Sequence, residues 1–200
     1  ALAPPRLPRP TNTYEKTNVK KMFYGILRLQ AQCRALNVSH ARVHSGYSEY
    51  DYLDKSAKLI FYPVNSLPPT RWEIMPLFHK RRASYGHMML LLKYADAETQ
   101  ILFFDPNGKS SYADKYTGYL DRAMAHMGWI GRRRAFLNDV INQNTGIKQY
   151  IGEGDGLCVV LSLWVANIIL LSPHITPQML SDFVASRTTQ WGQVTLTHVH

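Results

Sequence analysis

Hydrophobic and polar positions alternate with spacings that change along the chain, and the first clear pattern is helical. After Thr17 and Asn18, either of which could cap a helix, apolar residues recur every three or four positions as far as about Leu36. Cys33 falls on this apolar stripe. Burial in the core is therefore a sufficient explanation for this cysteine.

Segments rich in β-branched and aromatic residues predict strands in the middle of the chain. They run from Lys58 to Val64, Trp72 to Phe78, Gly86 to Tyr94 and Gln100 to Phe104. The last two, separated by residues 95–99, predict an antiparallel hairpin. The segment MMLLLKY in its first strand is apolar at nearly every position, which is typical of a central strand covered on both faces.

The second half of the chain has mainly helical spacing. We predict, in order, a helix from Ser110 to Met127, a short strand from Ile147 to Ile151, and helices from Cys158 to Leu171 and from Pro177 to Arg187. Together with the strands, these elements predict an α+β fold in which a mixed or antiparallel central sheet packs against helices.

The first residues differ in composition from the rest. ALAPPRLPRPTNT is basic, rich in proline and without apolar periodicity, so we predict an arm or linker over residues 1–16 and a single domain over residues 17–200. The chain begins with alanine rather than methionine. We therefore expect a processed product or a piece of a longer protein.

The net positive charge of the chain favours binding to acidic partners. The 200 residues include 23 Lys and Arg against 14 Asp and Glu, a formal net charge of +9, with clusters KRR at 80–82 and RRR at 132–134. Such clusters bind polyanions through counterion release, although short basic runs more often lie in solvated loops. We predict a nucleic-acid contact at Arg132, Arg133 and Arg134 as a secondary property.

Cysteine content and hydropathy restrict the environment. Two cysteines in a chain of this length form neither a disulfide framework nor a paired-cysteine metal site, so a reducing intracellular compartment is expected. The longest apolar run is interrupted by Ser162 and Asn167 and is too short to cross a bilayer, and the N-terminus lacks the apolar core of a signal peptide. We expect no membrane association, no metal and no cofactor.

The stretch GEGDGLCVV at 152–160 introduces candidate chemistry. Its glycines allow backbone turns that other residues resist, and the apolar run after it predicts that Cys158 begins a buried helix. At a helix N-terminus the dipole and free N–H groups stabilise a thiolate, lower the pKa of a cysteine below about 8.5 and can bind an oxyanion. The alternative, which composition alone favours, is a small core residue.

A cysteine nucleophile needs a base, and the predicted hairpin offers one. His87 opens its first strand and Asp105 ends its second, so antiparallel pairing brings both to one edge of the sheet. There Asp105 would hold one ring nitrogen of His87 while the other faces Cys158, as in a Cys-His-Asp triad. Taken singly, a histidine at a strand start and an Asp-Pro-Asn-Gly turn are ordinary structural features.

The chain order of histidine, aspartate and cysteine resembles that of one group of peptidases. Papain-like and ovarian-tumour-type proteases place cysteine first, and chymotrypsin-like viral cysteine proteases have glycine where Val159 stands. GHMMLLLKYADAETQILFFDPNG and GDGLCVVLSLWVAN look like the His-to-Asp hairpin and the nucleophile segment of adenovirus-protease and Ulp1-like (clan CE) cysteine peptidases. The gaps, 18 residues from His87 to Asp105 and 53 from there to Cys158, are close to family spacing. The resemblance covers roughly residues 72–187.

Three features depart from the family pattern. Met88 stands where the family usually has tryptophan after the histidine, and a leucine and a valine flank the cysteine where aspartate and glycine are common. The family places an oxyanion glutamine six or seven residues before the cysteine. Here Gln149 is the nearest upstream glutamine and Gln143 a second candidate. The resemblance thus implies an oxyanion site formed by Gln149 with the backbone N–H of Cys158.

The resemblance implies a cysteine endopeptidase or isopeptidase with the adenain and Ulp1-like variant of the papain-type fold. Its polypeptide substrate would be a viral polyprotein or precursor, or a ubiquitin-like modifier, cleaved after small residues such as glycine in the host cytoplasm, the nucleus or the virion. Two alternatives stay open. One is acetyl transfer from coenzyme A by a YopJ-type enzyme with the same residue order. The other is a non-enzymatic basic module that binds nucleic acid, which the adenovirus enzyme itself uses as a cofactor.

Overall fold

The computed structural model describes residues 13–44, 47–50, 58–60, 70–82, 85–95, 100–106, 113–129, 131, 133–137 and 157–197. Over these residues the chain is an α+β protein in which helices cover both faces of a mixed sheet. This arrangement confirms the fold class that the pattern of strands and helices predicts.

The described part of the chain contains four helices and seven strands. The helices are α1 (Thr13–Ala35), α2 (Ala113–His126), α3 (Leu157–Leu171) and α4 (Pro177–Thr197). The strands are β1 (Ala41–Val43), β2 (Tyr47–Tyr50), β3 (Lys58–Ile60), β4 (Trp72–Arg82), β5 (Tyr85–Tyr94), β6 (Gln100–Phe104) and β7 (Arg133–Phe136).

The sheet is built around three antiparallel strands. Its order is β3-β2-β4-β5-β6-β7, and β4, β5 and β6 pair antiparallel in sequence. Strands β1 and β2 both run parallel to β4, on the side of β4 that does not pair with β5. Strand β1 begins opposite Trp72 and β2 begins opposite Leu77, so they lie one after the other along β4. Strand β7 runs parallel to β6. These parallel pairs make the sheet mixed rather than purely antiparallel.

Strand β5 is the buried centre of the molecule. Leu90 and Leu92 belong to a core formed with α1, α3 and α4, whereas Met89 and Leu91 belong to a second core formed with α2. All four side chains are fully buried. Because alternate residues of a strand point to opposite faces, both faces of β5 are covered. The interpretation of MMLLLKY as a strand covered on both faces is confirmed.

Several boundaries differ from the predicted ones. Helix α1 begins at Thr13, so Thr17 and Asn18 lie inside it and cannot be its cap, and residues 13–16 belong to the helix rather than to the predicted arm. No proline follows Pro10 in this region to interrupt the helix. Helix α4 likewise continues beyond the predicted end, to Thr197.

The strands that the pattern missed are short and pair with distant segments. Strands β1, β2 and β7 have three or four residues each, too few to show an alternation, and they depend on pairing with β4 or β6. Of the predicted strand from Lys58, the structure describes only β3, and the predicted strand from Ile147 to Ile151 lies outside the described residues.

Among the helices that the structure describes, none combines the length and the apolar character needed to cross a membrane.

A buried carboxylate at the start of β4 stabilises the sheet. Glu73 lies 3.1 Å from Lys93 Nζ, 3.6 Å from Arg42 Nη1 and 3.8 Å from His44 Nε2. Burial acts most strongly and favours the neutral acid, but the nearby His44, together with the hydrogen bond and charge of Lys93, outweighs it, and the pKa of Glu73 falls to about 2. The stabilisation is therefore present above pH 4.5 and is lost as the pH falls toward 2.

We expect the Glu73→Gln variant to lack this pH-dependent stabilisation. The difference in unfolding free energy between wild type and variant should shrink by up to about 3 kcal/mol as the pH falls from 5 to 2, because only the wild type has a carboxylate to protonate. Urea unfolding at a series of pH values measures it. Parallel stability curves for the two proteins would contradict the assignment.

Candidate active site

The β5–β6 hairpin brings His87 and Asp105 together. His87 is the third residue of β5, and Asp105 follows the last residue of β6. Since Leu90 pairs with Phe104, the start of one strand and the end of the other lie at the same edge of the sheet. His87 Nε2 is 2.7 Å from Asp105 Oδ1, and their side chains are 13% and 4% exposed. The pairing predicted from the sequence is therefore present.

Strand β6 ends at the aspartate for a local reason. Pro106 follows Asp105, and proline has no N–H with which to continue a ladder. The chain leaves the sheet at this point, and the carboxylate stays beside the neighbouring strand.

Helix α3 brings Cys158 to the same histidine. Cys158 is the second residue of α3, and its side chain is among the groups that raise the pKa of His87, so the two side chains lie within interaction range. Because Asp105 occupies Nε2, Nδ1 is the ring nitrogen left to face the sulfur. The cysteine is only 6% exposed and adjoins the apolar core under α3. Three side chains that lie far apart in sequence thus form one chain of contacts.

The electrostatics of the group favour a charged histidine. Burial is the largest influence on the pKa of His87 and lowers it, but the charge and hydrogen bond of Asp105, with those of Cys158, raise it to about 9. At neutral pH the ring is an imidazolium, and its Nε2–H donates to the carboxylate. A protonated histidine beside a cysteine is the arrangement that activates a thiolate.

The start of α3 adds hydrogen-bond donors. The first four N–H groups of a helix have no acceptor within it, and Cys158 lies among these positions. Such groups, together with the positive end of the helix dipole, stabilise negative charge on a nearby sulfur or oxygen. The helix start can therefore serve both the nucleophile and an oxyanion.

The structure does not describe the glutamines that were predicted to bind the oxyanion. Gln149 and Gln143 are outside the described residues, as are Gly154 and Gly156. Their roles stay predictions. Met88, which stands where the resembling family has tryptophan, is fully buried in the core under α3.

The basic clusters lie at opposite ends of the sheet. Arg133 and Arg134 pair with the first two residues of β6, so their backbone is at least ~13 Å along the strand from Asp105. Arg132 is outside the described residues. By contrast, Lys80 pairs with Gly86, the residue before His87. Of the two basic runs, residues 80–82 thus lie nearer His87, and they belong to a strand rather than a loop. The nucleic-acid contact at Arg132, Arg133 and Arg134 stays a prediction.

Ser162 is a site residue that sequence reasoning missed. It is fully buried, and its hydroxyl donates to the carbonyl of Met88 at 3.2 Å, one residue from His87. The available signal was a serine within an otherwise apolar helix, which the sequence showed only as an interruption.

The second cysteine lies in different surroundings. Cys33 is partly buried on α1 beside the core, as its place on the apolar stripe predicts. Burial, its largest influence, raises the pKa of the Cys33 thiol despite opposing effects from its backbone hydrogen bond and Arg34. Its thiol is therefore protonated at neutral pH, which provides an internal reference for the reactivity of Cys158.

Comparison with models of known protein families gave no match for this chain, and neither did comparison with curated proteins.

Proposed function

We propose that this protein is a cysteine peptidase with Cys158 as nucleophile, His87 as general acid and base, and Asp105 as the residue that orients the histidine. The observation that carries the proposal is the histidine itself: it contacts both partners, and its pKa is raised to about 9. A buried imidazolium between a carboxylate and a cysteine has a direct chemical use in acyl transfer.

The reaction follows from the positions of these groups. The Cys158 thiolate attacks the carbonyl carbon of the scissile bond, and the carbonyl oxygen becomes an oxyanion. The N–H of Cys158 and, in this proposal, Gln149 stabilise that charge. His87 then gives its proton to the departing amine, which leaves a thioester. Water, deprotonated by the neutral His87, attacks the thioester and releases the acid and the Cys158 thiolate, so that the thiolate–imidazolium pair is restored.

The resemblance to adenovirus-protease and Ulp1-like peptidases supports the substrate class and the papain-type variant of the fold. On this basis the substrate is a polypeptide cut after a small residue such as glycine, either a viral precursor or a ubiquitin-like modifier. The reaction takes place inside a host cell, in cytoplasm or nucleus, or in a virion. Nucleic acid is a secondary partner, for which the sequence predicts Arg132, Arg133 and Arg134, and residues 80–82 are a second basic run that pairs beside the site.

Selective alkylation of the two cysteines tests the proposal. We expect iodoacetamide at about pH 6.5 to modify Cys158 at least about tenfold faster than Cys33, because only a thiolate reacts at a useful rate. Accessibility alone predicts the opposite order, since Cys158 is the more buried of the two. Mass spectrometry of the two cysteine peptides gives both rates from one sample of native protein.

The His87→Ala variant is the matching control. It removes the imidazolium, so the rate at Cys158 should fall to that of an ordinary buried thiol while the rate at Cys33 stays the same. Equal rates for the two cysteines in the wild type, or a Cys158 rate unaffected by the loss of His87, would contradict the proposal.

A second assay separates peptide cleavage from the two alternatives. A degenerate peptide library is incubated with the protein, with and without acetyl-coenzyme A. Cleaved peptides support the peptidase, and a 42 Da mass gain that depends on acetyl-coenzyme A would identify an acetyltransferase. Absence of both activities, together with binding to nucleic acid that weakens steeply with salt, would identify the basic binding module.

A further inference from the structure

Ser162 connects the helix of the nucleophile to the strand of the histidine. It lies one helical turn after Cys158 on α3, and its hydroxyl donates to the carbonyl of Met88, the residue after His87, at 3.2 Å. The serine is fully buried. One hydrogen bond therefore joins the immediate neighbourhoods of two residues of the proposed triad.

The direction of this hydrogen bond is unusual for a serine within a helix. Such a hydroxyl commonly bonds back to the carbonyl four residues earlier, which here belongs to Cys158. Ser162 instead donates across to β5. A buried hydroxyl costs free energy unless it has a partner, so this contact constrains where the helix can lie on the sheet.

The acceptor is available because the neighbouring strand ends early. The β5–β6 ladder stops at Leu90 and Phe104. Continued by two residues, the same register would bring Pro106 opposite Met88, and proline has no N–H to donate. Ser162 thus supplies a donor at a point of the sheet edge where β6 cannot.

The apolar contacts that hold α3 are less specific than this hydrogen bond. Leu161 and Val165 bury apolar surface in the core, but apolar contacts are non-directional and tolerate small shifts of a helix along its axis. A hydrogen bond weakens steeply when its geometry changes. The bond from Ser162 therefore restricts the axial position of α3 beside Cys158 more than the apolar contacts do, while His40 holds the other end of the helix through the carbonyl of Ile169.

We propose that Ser162 is a positioning residue that sets the height of the Cys158 helix on strand β5 and so aligns the sulfur with His87. This inference rests on the proposed function and extends it by a residue that touches neither the substrate nor the reacting atoms. Ser162 acts through the Met88 carbonyl rather than by proton transfer.

A buried serine elsewhere in the chain gives a matched control. Ser181 on α4 is 1% exposed, and its hydroxyl donates to the carbonyl of Leu137 at 3.0 Å. It makes a similar bond from a helix to a backbone carbonyl, here just after β7, and it lies on a different helix from Cys158. Ser162→Ala and Ser181→Ala each delete one buried hydroxyl, so a general loss of stability should affect both variants alike.

The experiment measures alkylation of Cys158 by iodoacetamide at about pH 6 and about pH 10 in wild type, the two alanine variants, Ser162→Thr and His87→Ala. At the lower pH the rate depends on the ion pair with His87, whereas at the higher pH the thiol ionises without help. We expect Ser162→Ala to lose about tenfold at pH 6 and less than about twofold at pH 10. Ser181→Ala should match the wild type at both values, and Ser162→Thr, which keeps the hydroxyl, should restore most of the rate at pH 6.

The outcomes separate the two proposals. If His87→Ala does not slow Cys158 at pH 6, the peptidase proposal fails. If His87→Ala slows it but Ser162→Ala behaves like Ser181→Ala, only the positioning role fails. A Ser162→Ala variant that is slowed or accelerated equally at both pH values also overturns that role, because it reports altered access rather than alignment. Thermal unfolding of each variant shows which of them remain folded during the assay.

Discussion

Replacement of His87 with alanine is expected to abolish peptide cleavage, with a fall in kcat/KM of at least about a thousandfold. Without the imidazolium, Cys158 loses the charge that stabilises its thiolate, and no group gives a proton to the departing amine. The measurement begins with the cleavage products of a degenerate peptide library, identified by mass spectrometry. The best peptide then provides kcat/KM for wild type and variant.

A second histidine provides the matched control for this variant. His40 is partly buried, and its Nε2 bonds to the carbonyl of Ile169 near the other end of α3, at 2.9 Å. Its replacement with alanine also removes a contact of the same helix, but it leaves the triad intact. We expect His40→Ala to retain activity within a few-fold of the wild type. Comparable losses in the two variants would show that His87 contributes only to folding.

The half of the site that lies on the hairpin could be predicted from local sequence. A nearly continuous apolar run marked β5 as a central strand, and Asp105-Pro106 marked the end of β6. Two strands joined by a short connection pair antiparallel with few alternatives, so the positions of His87 and Asp105 followed from the pattern. Their contact depends only on the pairing of two strands that are adjacent in sequence.

The position of Cys158 depended on information that no local pattern contains. The sequence predicted a buried helix starting at this cysteine, which α3 confirms to within one residue. Apolar composition states that a helix is buried but not where it lies on a sheet. The proximity of Cys158 to His87 was predicted from residue chemistry and from a family resemblance rather than from any local pattern, and in the structure the cysteine is close enough to raise the pKa of the histidine.

Strand pairing between distant segments limited the prediction of the fold and of its charged surfaces. The parallel pairs of β1 and β2 with β4, and of β7 with β6, join segments far apart in sequence and too short for periodicity. Without that register, the runs at 80–82 and 132–134 looked equivalent. Their different distances from the site follow only from the pairing of Lys80 with Gly86 and of Arg133 with Gln100.

Nucleic-acid binding can therefore be compared between the basic run near His87, residues 80–82, and the more distant run at residues 132–134. If a polyanion contacts the protein beside the candidate site, charge reversal at Lys80 should reduce binding and its salt dependence more than charge reversal at Arg133. This comparison uses the geometry of the sheet to choose between two runs that composition alone does not distinguish.

The Asp105→Asn variant is expected to move the alkaline limit of activity toward neutral pH. Catalysis needs His87 as an imidazolium, so the wild-type activity should fall as the pH rises through about 9, the raised pKa of this group. Burial pulls that pKa down most strongly, and the charge of Asp105 is the largest influence that raises it.

Asparagine keeps the shape of the side chain but removes the charge, so we expect the alkaline limb of the kcat/KM profile to shift down by at least about one pH unit. Activity near pH 7 should fall by about a hundredfold or more, since a neutral amide also allows the ring to turn away from Cys158. The sign is specific: loss of a carboxylate that raised the pKa of His87 can move this limb only toward acid. Asp182→Asn, an exposed substitution on α4, controls for the general effect of losing one negative charge. An unchanged alkaline limb in Asp105→Asn would show that Asp105 does not set the charge of His87, and the profile would then have to be assigned to another group.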